Sequence, residues 1–320
     1  MEFDLIDRIR ARCELARADV LLGIGDDAAL LAPPPGHELA VSTDALVESV
    51  HFPRGTAPRD LGWKALAVNL SDLAAMGATP AWALLTLILP EPDGAFVEAF
   101  SEGFAELAAA HRVALVGGDT TRGPLAIGVT VHGFVPAGAA LRRDGARVGD
   151  LVFVTGMLGD AAAGLRCLDA RGAALAGEVR AELVARLDRP TPRVAAGLAL
   201  REYASACIDV SDGLVADLGH VARRSGVGIE LDVRALPASP ALLAAFDEDA
   251  RIALQATGGD DYELAFCVAP ERANDMQRDL ARIGCGATRI GRVVEGSGVR
   301  LLDGNGHDIA LPRTGWEHFA

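Results

Sequence analysis

Lysine is nearly absent from this chain: Lys64 is the single one among 30 Lys and Arg residues, set against 44 Asp and Glu. That scarcity excludes the two commonest ways of holding ATP. A Walker A loop requires Gly-Lys-Ser/Thr, and the protein-kinase fold requires a strand lysine over the phosphates. Lys64, within Gly-Trp-Lys-Ala-Leu-Ala, is in neither context. The five cysteines (Cys13, Cys167, Cys207, Cys267 and Cys285) are far apart and lack CxxC or metal-ligand spacing. Most lie in apolar runs, where a reduced cytosolic thiol behaves as a small hydrophobe. There is no GxSxG elbow, no HExxH pair, and no apolar run of membrane-spanning length. Net charge is −14 and the basic residues are dispersed, so nucleic acid is not an expected partner. Glu2, Asp4 and Asp7 interrupt the apolar N-terminus, unlike a secretory leader. A soluble, cytoplasmic protein without a membrane partner is the expectation.

Half of the 320 residues are hydrophobic, enough for two ordinary cores. Helical spacing covers Phe3–Cys13, Asp60–Met76 and Ala95–Ala110. Strands are expected at Val20–Leu31 (broken by Gly-Ile-Gly-Asp-Asp), Leu39–Val47, Trp82–Leu89, Val113–Val116 and Ile127–Val135. The composition turns polar and arginine-rich around Leu141–Asp150, which sets the boundary between 1–142 and 143–320. The second half restarts with the strand Leu151–Thr155 and alternates helices with strands as far as short strands in Ala287–Leu311. Each half therefore reads as a two-layer α/β unit.

The informative pattern is where aspartates fall relative to glycines and apolar strands. Six places recur: Gly25-Asp26-Asp27, Ser42-Thr43-Asp44, Asn69-Leu70-Ser71-Asp72, Gly117-Gly118-Asp119-Thr120-Thr121, Asp209-Val210-Ser211-Asp212-Gly213 and Gly258-Gly259-Asp260-Asp261. Nearly all are expected where a strand ends in a turn, the edge at which α/β folds build their sites. Short carboxylates suit magnesium, which takes oxygen ligands. Taken singly, each also fits ordinary turn or cap chemistry. Asp72 is different. It falls late in an apolar helix, where the dipole repels a carboxylate, and no Lys or Arg lies at i±3 or i±4. A carboxylate there must be exposed, paired from afar, or bound to a cation, and the cation is the reading adopted, with Asn69 as a second oxygen one turn earlier. Gly23-Ile24-Gly25-Asp26-Asp27-Ala28 fits G-x-G-x-x-A formally, but its acids and the prolines at 33–35 rule out a dinucleotide fold.

These segments together resemble the thiamine-monophosphate kinase family, of the aminoimidazole-ribonucleotide synthetase-like superfamily. Gly23–Ala29, Ser42–Ala45, Leu66–Pro80, Gly117–Pro124, Ile208–Asp217 and Gly258–Leu264 occur in that family's order, as does the ending Gly315-Trp316-Glu317-His318-Phe319. The resemblance implies two α/β (α+β) domains. Residues 1–142 would form an ATP- and magnesium-binding domain that pairs into a homodimer. Residues 143–320 would add metal, ATP and substrate contacts. It implies several Mg2+ ions, ATP as co-substrate, K+ as a further candidate ion, and thiamine monophosphate as acceptor. The implied metal ligands are Asp27 (with Asp26 second), Ser42, Thr43, Asp44, Asp72, Asp119, Asp209 and Asp212. Of these, Asp44, Asp72, Asp119 and Asp212 would be central to catalysis. Gly118, Asp119, Arg143 and Ser211 would contact ATP. His51, Thr257, Asp260 and Trp316 would contact the substrate. The family carries Gly-Gly-Glu-Asp where this chain has Gly-Gly-Asp-Asp, so the carboxylate at 260 reaches one methylene less.

The chemistry agrees. A phosphate-monoester acceptor is largely dianionic at neutral pH and needs no general base. The obstacle is repulsion between two polyanions, which carboxylate-held magnesium relieves. Direct in-line transfer without a phosphoenzyme is expected, with Trp316 stacking on the cationic ring of the substrate. The rivals are other ATP-dependent synthetases of the same fold, of the aminoimidazole-ribonucleotide or selenophosphate type, and a non-catalytic nucleotide-binding dimer. A selenophosphate enzyme wants a reactive cysteine in its glycine loop, and Cys13 precedes Gly23 by ten positions.

Overall fold

In the computed structural model, which describes residues 2–168, 175–311 and 313–316, the chain divides into two compact units. Met1–Leu73 with Ala78–Ala139 form the first, and Ala74–Gly77 with Ala140–Ala320 the second. Glu317–Phe319 of the terminal motif lie outside the described residues.

The first unit runs α1 (Glu2–Cys13), β1 (Val20–Leu22), β2 (Leu30–Leu31), β3 (His37–Val47), α2 (Pro58–Ala75), β4 (Thr79–Leu89), α3 (Gly94–His111), β5 (Ala114–Arg122) and β6 (Ala126–Pro136). Its main sheet has the order β3-β6-β4-β5, parallel only between β4 and β5. A parallel neighbour needs a crossover, and α3 supplies it. Asp93 starts that helix by accepting the Ala95 and Phe96 N–H groups, and Arg112 closes it in the left-handed region at φ 55°. Helix α2 is apolar nearly all round, as its sequence requires, with Leu61, Leu66, Leu70 and Leu73 all buried. Trp82 packs edge-on against Phe134 at 4.9 Å, covered by Val20 and Leu31 of the β1–β2 hairpin.

The second unit adds β7 (Leu151–Thr155), α4 (Asp160–Cys167), α5 (Gly177–Asp188), α6 (Val194–Leu200), β8 (Ala204–Asp209), α7 (Leu214–Ser225), β9 (Gly228–Asp232), α8 (Pro240–Ala245), α9 (Glu248–Thr257), β10 (Leu264–Val268), α10 (Ala273–Arg282), β11 (Ala287–Val294) and β12 (Gly298–Leu302). The six strands order as β12-β9-β11-β7-β10-β8, antiparallel except between β12 and β9. Val152, Val154, Ile208, Leu214, Leu218, Ile229 and Leu231 fill its main core. All five cysteines are buried.

Two features depart from expectation. Helices α5 and α9 have no counterpart in the sequence reading: α5 buries only Leu183 and Leu187, and α9 buries four consecutive residues at its end, Leu254 to Thr257, which carry no helical period. The Gly-Gly-Asp-Thr-Thr run, expected to follow its strand, lies inside β5, paired to β4 through Leu85–Gly118 and Thr86–Asp119. Gly118 makes this possible. Its φ is 155°, and a Cβ there would lie 1.9 Å from the Leu85 carbonyl oxygen.

Glycine also sets the approach of α2 to α3. A Cβ on Gly62 would lie 1.9 Å from Phe100 O, and one on Gly103 would lie 1.7 Å from Arg59 O. Gly62→Ala or Gly103→Ala is expected to lower unfolding free energy by about 1–3 kcal/mol through overpacking, read from the midpoint of chemical denaturation.

Candidate active site

In the first unit, Ser42, Thr43 and Asp44 occupy the middle of β3 and not a turn at its end. Alternation along the strand puts Ser42 and Asp44 on one face and Thr43 on the other. The Ser42 hydroxyl donates to Asp72 Oδ2 at 2.5 Å. Asp72 lies in the last turn of α2, which holds no basic residue. A hydroxyl from a distant strand therefore reaches Asp72. Asn69 ties the same two elements together. Its Oδ1 accepts the Asp44 N–H at 3.0 Å and its Nδ2 donates to Ala65 O at 2.9 Å, so it splints β3 to α2.

On the opposite face, Thr43 Oγ1 lies 3.1 Å from Val129 O and 3.0 Å from Thr130 Oγ1. Asp119, in β5, is on the far edge of the sheet from Asp44 in β3, three strand spacings or roughly 14 Å away. Asp26 and Asp27 lie between β1 and β2, where Asp26 Oδ1 accepts the Asp27 N–H at 2.8 Å. His51 closes a turn: its Nδ1 accepts the Val47 N–H at 3.0 Å, which leaves Nε2 as its protonated nitrogen. The donors of this unit are hydroxyl, amide and carboxylate oxygens, the chemistry a magnesium ion accepts. Among the described residues, no three His, Cys, Asp or Glu side chains are already gathered closely enough to hold a metal ion.

In the second unit, two loops are sewn together by main-chain bonds. Val210 N–H donates to Glu263 O at 2.8 Å, Tyr262 N–H to Val210 O at 2.8 Å, and Asp260 N–H to Ser211 O at 2.9 Å. Trp316 N–H donates to Asp212 O at 3.0 Å. Asp209, Ser211, Asp212, Asp260 and Trp316, spread over more than a hundred positions, are thereby drawn to one end of the sheet. Trp316 keeps 47% of its surface exposed. Asp260 and Tyr262 both take positive φ, 68° and 49°, a strained conformation for residues with side chains. The Tyr262 hydroxyl lies 3.1 Å from Asp260 Oδ1. Thr257 is directed elsewhere: its hydroxyl donates to Ala253 O at 2.8 Å in the last turn of α9. Arg143 is exposed, and it acts on His220, whose pKa is lowered by burial first, then by Arg223 and Arg143, with Asp212 opposing.

Three buried acids hold these loops, of which only Asp261 stands in one of the six sequence patterns. Glu263 is fully buried and takes Arg193 in a two-pronged pair (2.6 and 2.5 Å), Arg186 at 3.0 Å and the Thr155 hydroxyl at 2.6 Å. Gly156 leaves room for that carboxylate, since a Cβ there would lie 2.1 Å from Glu263 Oε1. Asp217, also buried, accepts the N–H groups of Ser211, Asp212 and Gly213, and burial pushes its pKa up to about 7. Asp261 accepts Gly159 N–H at 2.8 Å through Oδ2, while its Oδ1 is buried without a partner, and burial raises its pKa well above the usual carboxylate range. A buried carboxylate needs donors, and the alternation of Asp261 and Glu263 behind a strand is the signal that would have marked them.

Asp261 yields a prediction whose sign follows from linkage. A carboxyl with a raised folded pKa keeps a proton that the unfolded chain has released, so stability falls as pH rises above the ordinary value of about 3.9. Asp261→Asn removes this loss. The variant is expected to gain about 1–3 kcal/mol on wild type at pH 8 and much less at pH 4, measured by denaturant titration at both pH values.

Comparison with known proteins gives the same outline. The profile of the AIR synthase related protein N-terminal domain matches residues 25–135, and that of the C-terminal domain matches residues 147–304. The thiamine-monophosphate kinase of Salmonella typhimurium strain LT2 is 46% identical over 321 residues, spanning 100% of this chain and 98% of that protein. The crystal structure of thiamine-monophosphate kinase from Stenotrophomonas maltophilia K279a superposes with a TM-score of 0.88 at 50% identity, over 96% of this chain and 98% of that one. The structure of AaThiL complexed with AMPPCP and TMP superposes with a TM-score of 0.80 at 38% identity, over 99% and 97%. Among the described residues, no helix is long and apolar enough to cross a membrane.

Proposed function

We propose a specific reaction from one premise: the chain belongs to the thiamine-monophosphate kinase family, within the AIR synthase related proteins. It is an ATP-dependent kinase acting on a phosphate-bearing substrate. The reaction is direct in-line transfer of the ATP γ-phosphoryl group to the phosphate of thiamine monophosphate, releasing thiamine diphosphate and ADP. The observation that carries this reading is the convergence of Ser211, Asp212, Asp260 and Trp316 at one end of the second unit, the residues that the family pattern assigns to nucleotide, metal and substrate.

Magnesium, when bound, would neutralise phosphate charge and bridge the transferred group. Ser42, Asp44 and Asp72 in the first unit, with Asp27 and Asp119, and Asp209 and Asp212 in the second, are the oxygen donors suited to it. Asn69 fixes the backbone of Asp44, and Ser42 fixes the Asp72 carboxylate, so these donors are oriented before any ligand arrives. The acceptor is already ionised, so no side chain is required to take its proton. The exposed Trp316 offers a π-face to the cationic thiazolium, and Asp260 adds opposite charge. Thiol chemistry is not favoured as a second reading: burial raises the pKa of Cys13 to about 12 and pushes up Cys207, Cys267 and Cys285.

The same reading includes a homodimer built on the first unit. Strand β3 is an edge of its sheet for eleven residues, with Leu39 46% and Val41 55% exposed. Exposed apolar edges of this length invite pairing. A second copy also answers the separation of Asp44 from Asp119 on opposite edges.

Four measurements test these assignments. Purified protein with Mg-ATP should release ADP only when thiamine monophosphate is added, and γ-labelled ATP should leave no label on the protein in a single turnover. Asp72→Asn should lower kcat by at least about 100-fold with an unchanged melting curve, a loss on the scale of removing a charge-stabilising group; retained activity defeats the assignment of Asp72. Val41→Arg should convert a dimer to a monomer in sedimentation velocity, and an unaltered sedimentation coefficient would remove β3 from the interface.

A further inference from the structure

Successive main-chain N–H groups in a glycine-containing loop ahead of a helix can receive an anion such as phosphate. The loop before α7 has its own N–H groups already filled. The N–H groups of Ser211, Asp212 and Gly213 converge on Asp217 Oδ2 at 3.0, 3.1 and 3.1 Å. Asp217 is only 3% exposed, so it fills this position from inside the fold. The carbonyls of the loop are occupied as well: Val210 O by Tyr262 N–H, Ser211 O by Asp260 N–H, Asp212 O by Trp316 N–H, and Gly213 O by Asp217 N–H. Every main-chain donor of 211–213 and every main-chain acceptor of 210–213 therefore has an internal partner. What the loop retains for a ligand is side-chain oxygen, from the half-buried Ser211 and Asp212.

We propose that Asp217 is a positioning residue, an internal acceptor that occupies the amides of the loop ahead of α7 in place of a phosphate and thereby makes this loop a cation-binding element. The geometry explains an acidic loop at a site that handles polyanions. With its amides consumed and the Asp212 carboxylate presented, the loop is unsuited to bare phosphate and suited to a divalent cation. Asp217 touches neither nucleotide nor acceptor. It acts through the conformation of Ser211 and Asp212, and through them on Asp260 and Trp316. This inference deepens the phosphoryl-transfer reading and rests on it for its kinetic consequence.

The test is chemical rescue. Asp217→Ala deletes a carboxylate that formate matches in size and charge. The variant should show a half-saturating Mg2+ concentration raised by about 10–100-fold, the range seen when residues supporting metal ligands are removed, with a smaller change in kcat at saturating Mg2+. Formate at tens of millimolar should restore much of the Mg2+ dependence and raise the melting temperature of the variant, while leaving wild type unaffected. Asp217→Asn, which keeps one acceptor oxygen for the three N–H groups, serves where the alanine variant folds poorly, and should show a rise of only a few-fold. Direct Mn2+ binding, followed by electron paramagnetic resonance without nucleotide, gives the same ranking of affinities independently of turnover. An unchanged metal affinity in both variants, or formate acting equally on wild type and variant, overturns the proposal. Absence of kinase activity in wild type with weakened Mn2+ binding in Asp217→Ala would overturn the reaction and leave the role of Asp217 standing.

Discussion

Glu263 is without solvent contact, so its charge must be met entirely within the protein. Arg193 and Arg186 meet it, with Thr155 filling the remaining acceptor site. A pair of this kind gains little over an apolar replacement, but breaking it by removing one partner costs about 3–5 kcal/mol, because a buried charge is left alone. What the pair secures is position. The Glu263 carbonyl anchors Val210, Val210 anchors Tyr262, and Ser211 anchors Asp260. The positive φ angles of Asp260 and Tyr262 are sustained by these bonds, since neither conformation is favoured by the residues themselves. The loops at this end of the second unit thus depend on a carboxylate sealed from solvent.

An excess of acid over base would ordinarily weaken a fold by self-repulsion. Here the acids are divided among distinct uses. Some are neutralised in pairs, such as Asp19 with Arg17, where the guanidinium holds the carboxyl below its ordinary range. Some are buried as structural acceptors, Glu263 against arginines and Asp217 against main-chain N–H groups. Others, among them Asp44 in an edge strand and Asp212 in a loop, are the candidate cation donors. Arginine serves the first two uses better than lysine, because its planar fork matches a carboxylate and stays charged when buried.

The broad architecture was legible in the sequence because apolar period and glycine position are local signals. The helices at Pro58–Ala75 and Gly94–His111 and the strands at His37–Val47 and Ala126–Pro136 follow from them. Helix α9 was not legible, because its buried residues are consecutive at its end, Leu254 to Thr257, and give no helical period. Nor was the extension of β5 through Gly117–Thr121, since consecutive glycines read as a turn until pairing with β4 is known. At the site, the candidate aspartates were visible as types beside glycines. Their supports were not. Asp217 and Glu263 read as ordinary helix and strand residues, and only the folded chain shows the N–H groups and arginines that converge on them.

The contact between Ser42 and Asp72 shows why a carboxylate site can be stable before its cation arrives. An isolated carboxylate at a helix C-terminus faces the negative end of the dipole and its own desolvation. One short hydroxyl bond supplies a donor, worth roughly 1.5–3 kcal/mol for an ionised acceptor. The same hydroxyl keeps lone pairs of its own, so Ser42 can accept a cation without first breaking its bond to Asp72. Binding then strengthens an arrangement already made, so the cost of ordering the site falls on folding and not on catalysis.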